Sequence, residues 1–550
     1  MISSSAAVGL VTVLILVYAL FKRSARPSSL SMIRGPPSPS FIFGNLLELF
    51  QRPVGETEFA WQSQYGNVVR FKSILGGDQL FISDAKALRK MLNTAGDNYV
   101  KLPSENVVKG MISGKGLLWA DGEVHKRQKS IVLPGFGSKE CKAFLPIFKD
   151  CADSISTKWM ETIESSNSQG VVINVLDWLS RGALDAVCRA GFDVDFNTIQ
   201  DDSHPLGRRY RNYLLVRDLF AVPSAEQIFM QAALRYIPEG IIQWLIDNGP
   251  GSRLARAREV TNVVGDLAKE MVQERATAFL ERKGDMDIFT LLLKANMDAN
   301  AKKRLSDEEL LAQIRTILLA GQESTGTTTS FILLELARNP KMQSMLRDEI
   351  RRTEAITRER GSPHLTVTDL EAMPYLNAVL KEGLRFHPIG TSSMRMARDD
   401  DILPLSKPVL GVSGEMIHEV RVSKGTEIMI SITAYNRDKD LWGEDAHEFK
   451  PDRWLDGTMD GKNSPGVGVY SNLMSFFSGP QACIGWRFAM IEMQAFLSTL
   501  VGKFEFAMTD KAERIVRMPM FLMGPMVEGE FDRGVQMPLA VSLASQNSEL

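Results

Sequence analysis

One stretch constrains the fold of this chain more than any other. Ser306, with Glu309 three residues on, is a capping-box signature, and from Asp307 to Arg338 no proline intervenes before Asn339-Pro340. The stretch predicts a single very long helix. Near its middle, Ala320-Gly321-Gln322-Glu323-Ser324-Thr325-Gly326-Thr327-Thr328-Thr329 is a poor helix former, with two glycines and a run of hydroxyls. Small residues there let a flat ligand lie against the backbone, and a hydroxyl can bond the carbonyl one turn back and open the helix locally. The plainer alternative is a small-residue patch for tight helix packing.

A second stretch, Phe476-Phe477-Ser478-Gly479-Pro480-Gln481-Ala482-Cys483-Ile484-Gly485, sets one cysteine in a turn flanked by glycines. Gly479 and Gly485 lack a Cβ, so the backbone can bend sharply and approach a flat ligand closely, while Phe476 can cover the sulfur from water. A cysteine held this way can ligate a metal as its thiolate. The alternative is a buried free cysteine in a Gly-Pro turn.

The 550 residues contain no long low-complexity linker and no internal repeat, so one large domain behind a short N-terminal segment is expected. Basic and acidic residues, 64 and 66, are interspersed for a net charge of −2, which leaves no nucleic-acid footprint. Cys141, Cys151, Cys188 and Cys483 form neither a zinc spacing nor a disulfide framework. That fits a reducing compartment, as does the lack of any N-x-Ser/Thr acceptor sequence.

Ala6 to Phe21 is apolar or small apart from Thr12, and Ile2 extends it towards the roughly 20 residues that span a bilayer. Lys22, Arg23 and Arg26 follow, with no basic residue before the run. This predicts a transmembrane anchor with its N-terminus outside and the body in the cytosol; a cleaved signal peptide is the alternative. Arg34-Gly35-Pro36-Pro37-Ser38-Pro39 cannot continue a helix and reads as a stiff hinge.

Asn67–Ile74 and Gln79–Ser83, around Gly76-Gly77-Asp78, predict a β-hairpin. Helical spacing dominates from Lys139 onward. Residues 205–251 are rich in aromatics and methionine, with prolines cutting short helices. Thr368 and Glu371 form a second capping signature, predicted to open the helix that carries Lys381-Glu382-Gly383-Leu384-Arg385. Glu382 and Arg385, three apart, face the same side.

Taken together these motifs resemble the cytochromes P-450. The pattern F-x-x-G-x-x-x-C-x-G with Trp486-Arg487-Phe488-Ala489 is similar to the family's haem-binding loop and following helix. Ala320 to Thr325 resembles the oxygen-activation motif A-G-x-[D/E]-T, and Glu382-x-x-Arg385 with Arg453 in Pro451-Asp452-Arg453-Trp454 resembles the family's Glu-Arg-Arg triad. Trp61–Arg70 and Trp119–Gln128 are most like fungal, basidiomycete-type microsomal members. The implied fold is mainly α with small β-sheets, a cytochrome P-450 fold behind a single N-terminal transmembrane anchor helix. The implied organisation is an anchor over 1–21, a basic, proline-rich hinge over 22–40, a catalytic domain over 41–530 and a C-terminal strand and tail over 531–550.

The resemblance implies haem b with Cys483 as axial thiolate, whose electron density favours O–O cleavage. Cofactor-binding residues would be Cys483, Phe476, Gly479, Gly485, Arg395, His125 and Lys129. His125 and Lys129 replace the family's Trp and Arg, and both can still donate to a haem propionate, though Lys lacks the bidentate fork of Arg. Gln481 stands where arginine or histidine is usual, which predicts weaker haem retention or a modest shift of its potential. Glu323 is the distal acid, Ser324 stands in the place of the usual threonine, and Thr325 is able to share its role. Glu382, Arg385 and Arg453 are structural, pairing buried charges.

The implied activity is a membrane-anchored monooxygenase of the endoplasmic reticulum with a cytosolic catalytic domain. It would use O2 and electrons from NADPH through NADPH–cytochrome P-450 reductase, with cytochrome b5 as a candidate second donor. Lys126, Lys129 and Arg487 are a candidate reductase-docking face. The expected substrate is a lipophilic small molecule, a terpenoid or other secondary metabolite, met by residues 98–116, 205–251, 317–320, 389–393 and 520–523. Two rivals are a reductase-independent haem-thiolate isomerase or dehydratase and a non-catalytic membrane haem or lipid sensor.

Overall fold

The structure is a computed structural model. It describes residues 29–166, 168–200, 221–249, 255, 258–259, 262, 265–266, 268–270, 287–298, 300, 302–455, 457 and 466–545. The anchor expected over 1–21 and parts of the 205–251 segment lie outside the described residues, and no described helix is long and apolar enough to cross a membrane.

A hairpin opens the body. β1 (Val68–Lys72) pairs antiparallel with β2 (Asp78–Ile82), as the β-rich runs predict. β3 (Tyr99–Lys101) leads into α1 (Pro103–Ser113), and α2 (Gly122–Val132) starts at Asp121, whose carboxylate accepts from the Gly122 N–H at 3.0 Å. Then come α3 (Leu145–Ser165), β4 (Gly170–Asn174) and α4 (Val175–Phe192). Two short helices, Ala225–Ala233 and Glu239–Asn248, represent the 205–251 segment.

The long helix is α5, Asp307–Arg338, and it forms for the reasons read in its sequence. Ser306 Oγ accepts from the Glu309 N–H at 3.2 Å and the Glu309 carboxylate accepts from the Ser306 N–H at 3.0 Å. Asp307, Glu308 and Glu309 favour its N-terminus and Arg338 its C-terminus. It stays helical throughout Ala320–Thr329, while Ser324, Thr328, Thr329 and Ser330 each donate to the carbonyl four residues back.

α6 (Pro340–Glu359) and α7 (Pro374–Phe386) follow. The second cap differs from expectation. Thr366 and Asp369, not Thr368 and Glu371, form the reciprocal box, and it caps only the short helix Val367–Glu371. α7 starts afresh at Pro374, because a proline without an N–H suits the first helical position and resists an interior one.

β5 (Ser392–Ala397), β6 (Asp401–Leu410), β7 (Met416–Val422) and β8 (Glu427–Ser431) precede the cysteine loop, which leads directly into α8 (Trp486–Lys503). After α8 come β9 (Phe504–Ala507), β10 (Ile515–Met518), β11 (Gly524–Val527) and β12 (Pro538–Leu543). The main sheet runs β1-β2-β8-β5-β3, parallel only between β2 and β8. β12 lies between β4 and β9 in a three-stranded sheet. α3, α4, α5, α7 and α8 share one core, including Trp159, Leu179, Phe331, Leu380 and Phe496. The chain is thus helix-rich with small sheets, as predicted.

The two glycines of the α5 patch serve that core. A Cβ on Gly321 would sit 2.8 Å from Val187 Cγ2, and one on Gly326 would sit 3.0 Å from the Ser180 nitrogen, so both admit α4 at close range. Of the small residues expected to let a flat ligand approach the backbone, Gly321 and Gly326 instead face α4. The exposed small residue is Ala320, and the packing reading holds for Gly321 and Gly326.

Candidate active site

The cysteine loop is built by backbone geometry. Gly479 has φ +64, a left-handed conformation that disfavours side chains, and a Cβ there would meet the Leu92 carbonyl oxygen at 2.0 Å. Cys483 N–H donates to Phe476 O at 2.9 Å, and Ser478 Oγ pairs with Asn93 Oδ1 at 2.9 Å. Phe476 is buried beside Tyr470, with ring centroids 6.2 Å apart, so it anchors the turn. The cover it was expected to give the sulfur is incomplete, because Cys483 is exposed. The protein massed around the thiol still pushes its pKa up, opposed by the Gly485 N–H and the Lys129 ammonium. The other three cysteines are buried, which leaves Cys483 as the one able to meet a ligand.

Beside this loop lies a group of buried nitrogen donors. Lys101, His125 and Arg395 are all buried. Arg395 lies within β5, donates to Ser393 Oγ at 2.7 Å and Met394 O at 2.8 Å, and sits 5.0 Å over the Phe477 ring. Lys101 Nζ donates to Leu118 O at 2.9 Å and Ala120 O at 2.7 Å. Burial, reinforced by Lys109 and Arg395, drives Lys101 down to about 7; burial, with Lys101 and Lys129 beside it, drives His125 down to about 4. Buried N–H donors, Arg395 charged, Lys101 partly so and His125 neutral near pH 7, with Asp121 and Glu105 as anions within influence, fit a bound group that carries carboxylates. Haem propionates meet that requirement, and the thiolate loop next to them meets the need for an axial ligand.

Lys101 was not singled out from the sequence. Its signal was available only as a lone lysine ending a β-rich triplet, Tyr99-Val100-Lys101, and pairing of β3 with β5 brings it opposite Arg395. Lys129 is placed differently from expectation: its ammonium bonds Pro480 O at 2.7 Å, on the cysteine loop. Lys126 pairs with Glu123 at 2.9 Å and Asp97 at 3.3 Å, while Arg487 is exposed.

α2 is registered against α5 by the Arg127–Glu309 ion pair and by Gln313 Nε2 donating to Gln128 Oε1 at 3.1 Å. On α5 the helical turn around Ala320 presents Glu323 and Ser324. Ser324 Oγ donates to Ala320 O at 2.6 Å, so its lone pairs remain free to accept. Burial alone pushes the Glu323 carboxyl up to about 7, with no ion pair or hydrogen bond offsetting it among the described residues. Thr325 is buried and neighbours Glu492 of α8, a fully buried carboxyl raised well above its ordinary range by burial. The structure thus separates Ser324 from Thr325, one residue on.

The triad assembles as expected. Arg385 Nε and Nη2 each reach a Glu382 oxygen at 2.8 Å, and Arg453 Nε reaches it at 3.0 Å, with all three side chains buried. Burial pushes the Glu382 carboxyl up, but the Arg385 hydrogen bonds and the two guanidinium charges hold it below its usual value. From the same helix end, Leu384 O accepts from Ser475 Oγ at 2.6 Å, which ties α7 to the start of the cysteine loop.

A proximal cysteine turn, a buried cationic group for carboxylates, and a helix carrying an acid and a hydroxyl define a haem-thiolate oxygenase site. The chain belongs to the cytochrome P-450 family, whose sequence profile it matches over residues 34–527. It is similar to cytochrome P-450 monooxygenase 205 of Postia placenta, with 36% identity over 524 residues, 94% of this chain and 93% of the relative. It is also similar to cytochrome P-450 monooxygenase 128 of the same fungus at 33% identity over 542 residues, covering 94% and 93% of the two chains. Cytochrome P-450 monooxygenase claQ of Ampulloclitocybe clavipes is 31% identical over 538 residues, 96% of each chain. The protein is accordingly a cytochrome P-450 monooxygenase of the fungal kind, a haem protein with cysteine thiolate ligation.

Proposed function

We propose that this monooxygenase oxidises a lipophilic small molecule, a terpenoid or related secondary metabolite, at the cytosolic face of the endoplasmic reticulum. In this reading residues 1–21 anchor it by a single span. Electrons arrive one at a time from NADPH–cytochrome P-450 reductase, with cytochrome b5 as a second donor and Lys126, Lys129 and Arg487 near the docking face. Haem b would be held by Cys483, with Lys101, His125 and Arg395 as donors for its carboxylates, and would supply the oxygen-activating chemistry.

The observation that carries the reading is Glu323, a carboxyl with its pKa near 7 beside a hydroxyl fixed as an acceptor. Such an acid holds a proton at neutral pH and can release it. Ser324 orders the path of that proton towards the reacting oxygen. A rearranging enzyme that consumes no protons has no use for this pair, which favours the monooxygenase over that rival. The lipophilic preference draws support from the residues expected to meet the substrate. Ile317, Ile389 and Met523 are apolar, Met523 N–H donates to Ile389 O at 2.8 Å, and Gly114 and Gly116 bring the α1 region against Ala312 and Thr316.

The test is NADPH consumption and product formation with reductase and a terpenoid panel, alongside the shift each compound causes in the haem spectrum. Product that depends on NADPH, and shifts with terpenoids, are expected. Product without NADPH would favour the rearranging enzyme, and shifts confined to polar amines or phenols would remove the substrate class.

A further inference from the structure

His125 and Lys129 lie one helical turn apart on the same side of α2, yet the structure gives them different work. His125 is buried against Lys101 and Arg395. Lys129 instead reaches out to the cysteine loop, where its ammonium bonds Pro480 O at 2.7 Å. One residue further along that loop, Gln481 Nε2 donates to Asp121 Oδ1 at 3.0 Å. Asp121 is itself fixed, since it also accepts from the Gly122 N–H at 3.0 Å and from the Lys101 N–H at 2.8 Å. Two consecutive loop residues are thus bound to the start and the third turn of α2. On the other flank the loop is bound through Ser478 to Asn93.

We propose that Lys129 and the Gln481–Asp121 pair clamp the Cys483 loop to α2, and that Lys129 is a positioning residue acting on the iron through the loop and the thiolate, not a propionate ligand. The geometry gives Lys129 and Gln481 complementary places on the loop. An arginine at 481 would bring a second positive charge to the loop beside Lys129. The uncharged glutamine bonds Asp121 and leaves Lys129 as the cation on the loop. The charge that 481 does not bring to the propionates comes from Lys101 on β3, already buried with Arg395 and His125. The expected weakening of haem retention at Gln481 is thereby offset.

A cation close to the thiolate stabilises the electron-richer ferrous state, so its removal lowers the reduction potential. The full-length protein is compared with K129M, K129Q and R395L in two measurements, a spectroelectrochemical titration and the rate of haem transfer to apomyoglobin. At a fixed poise the reduced-to-oxidised ratio is expected to fall by about threefold or more in both Lys129 variants, the scale of one partly screened charge. Haem transfer is expected to stay within about twofold of wild type in those variants and to accelerate in R395L, since of these two positions it is Arg395 that belongs to the buried group assigned to the propionates. K129Q keeps a neutral donor for Pro480 O, so it isolates the charge if K129M folds poorly. An unchanged potential in K129Q, or haem transfer accelerated beyond twofold in it, overturns the proposal.

Discussion

Replacing Glu382 by glutamine should destabilise the protein far more than its near-identical shape suggests. Glu382 accepts hydrogen bonds from Arg385 Nε and Nη2 at 2.8 Å, Arg453 Nε at 3.0 Å, Trp454 Nε1 at 3.0 Å and the Lys450 N–H at 2.7 Å. Both arginines are buried, so the substitution leaves two guanidinium charges without their anion and turns an amide N–H₂ towards donors. Removing one partner of a buried pair costs about 3–5 kcal/mol, a large share of the roughly 5–15 kcal/mol that holds a domain together. Urea unfolding followed by circular dichroism reads this directly. Haem content should fall with it, because Arg385 Nη1 also fixes Asn436 O at 3.0 Å and Asn436 Oδ1 accepts from the Met474 N–H at 3.0 Å, just before the cysteine loop. The pH dependence has a definite sign. The folded carboxyl lies below its ordinary value of 4.5, so its stabilisation is complete above that pH and is lost as pH falls through the depressed folded value. E382Q should lack this acid-side loss. A midpoint within about 1 kcal/mol of wild type would refute the reasoning.

Other outcomes follow from the same geometry. Because the Glu323 carboxyl is raised to about 7, product formed per NADPH should decline as pH rises through 7 in wild type; in E323Q it should be at least about tenfold lower and flat with pH. S324A should uncouple oxygen reduction from product formation, whereas T325V, altering a hydroxyl turned towards Glu492, should retain most coupling; peroxide release alongside product measures both. E492Q should melt within a few degrees of wild type, because burial pushes that carboxyl's pKa up and so favours its neutral form, while a loss above about 3 kcal/mol would show that an ionised Glu492 matters.

Local chemistry made parts of this site legible in the sequence. The capping box at Ser306 and Glu309 and the proline-free run behind it act through neighbours in the chain, and the structure follows them, while Gly479 answers both to its own left-handed backbone and to the distant Leu92 carbonyl. Long-range placement was another matter. Lys101 joins the cationic group only through pairing of β3 with β5. Gly321 and Gly326 answer to α4, a helix more than a hundred residues earlier in the chain. Lys129 lies one helical turn from His125 on α2, and whether its four-carbon stem swings to a propionate or to Pro480 O is decided by the loop opposite. The second cap was misplaced by two residues because Thr366-x-x-Asp369 and Thr368-x-x-Glu371 both satisfy the capping pattern, and Pro374 decides which helix can follow.

The account rests on Cys483 as the thiolate ligand, and the carbon-monoxide difference spectrum of the dithionite-reduced protein tests that most directly. Wild type should give a strongly red-shifted Soret band that is absent from C483A. Freshly prepared intact wild type with no haem, or with only the band of a neutral ligand, would contradict it.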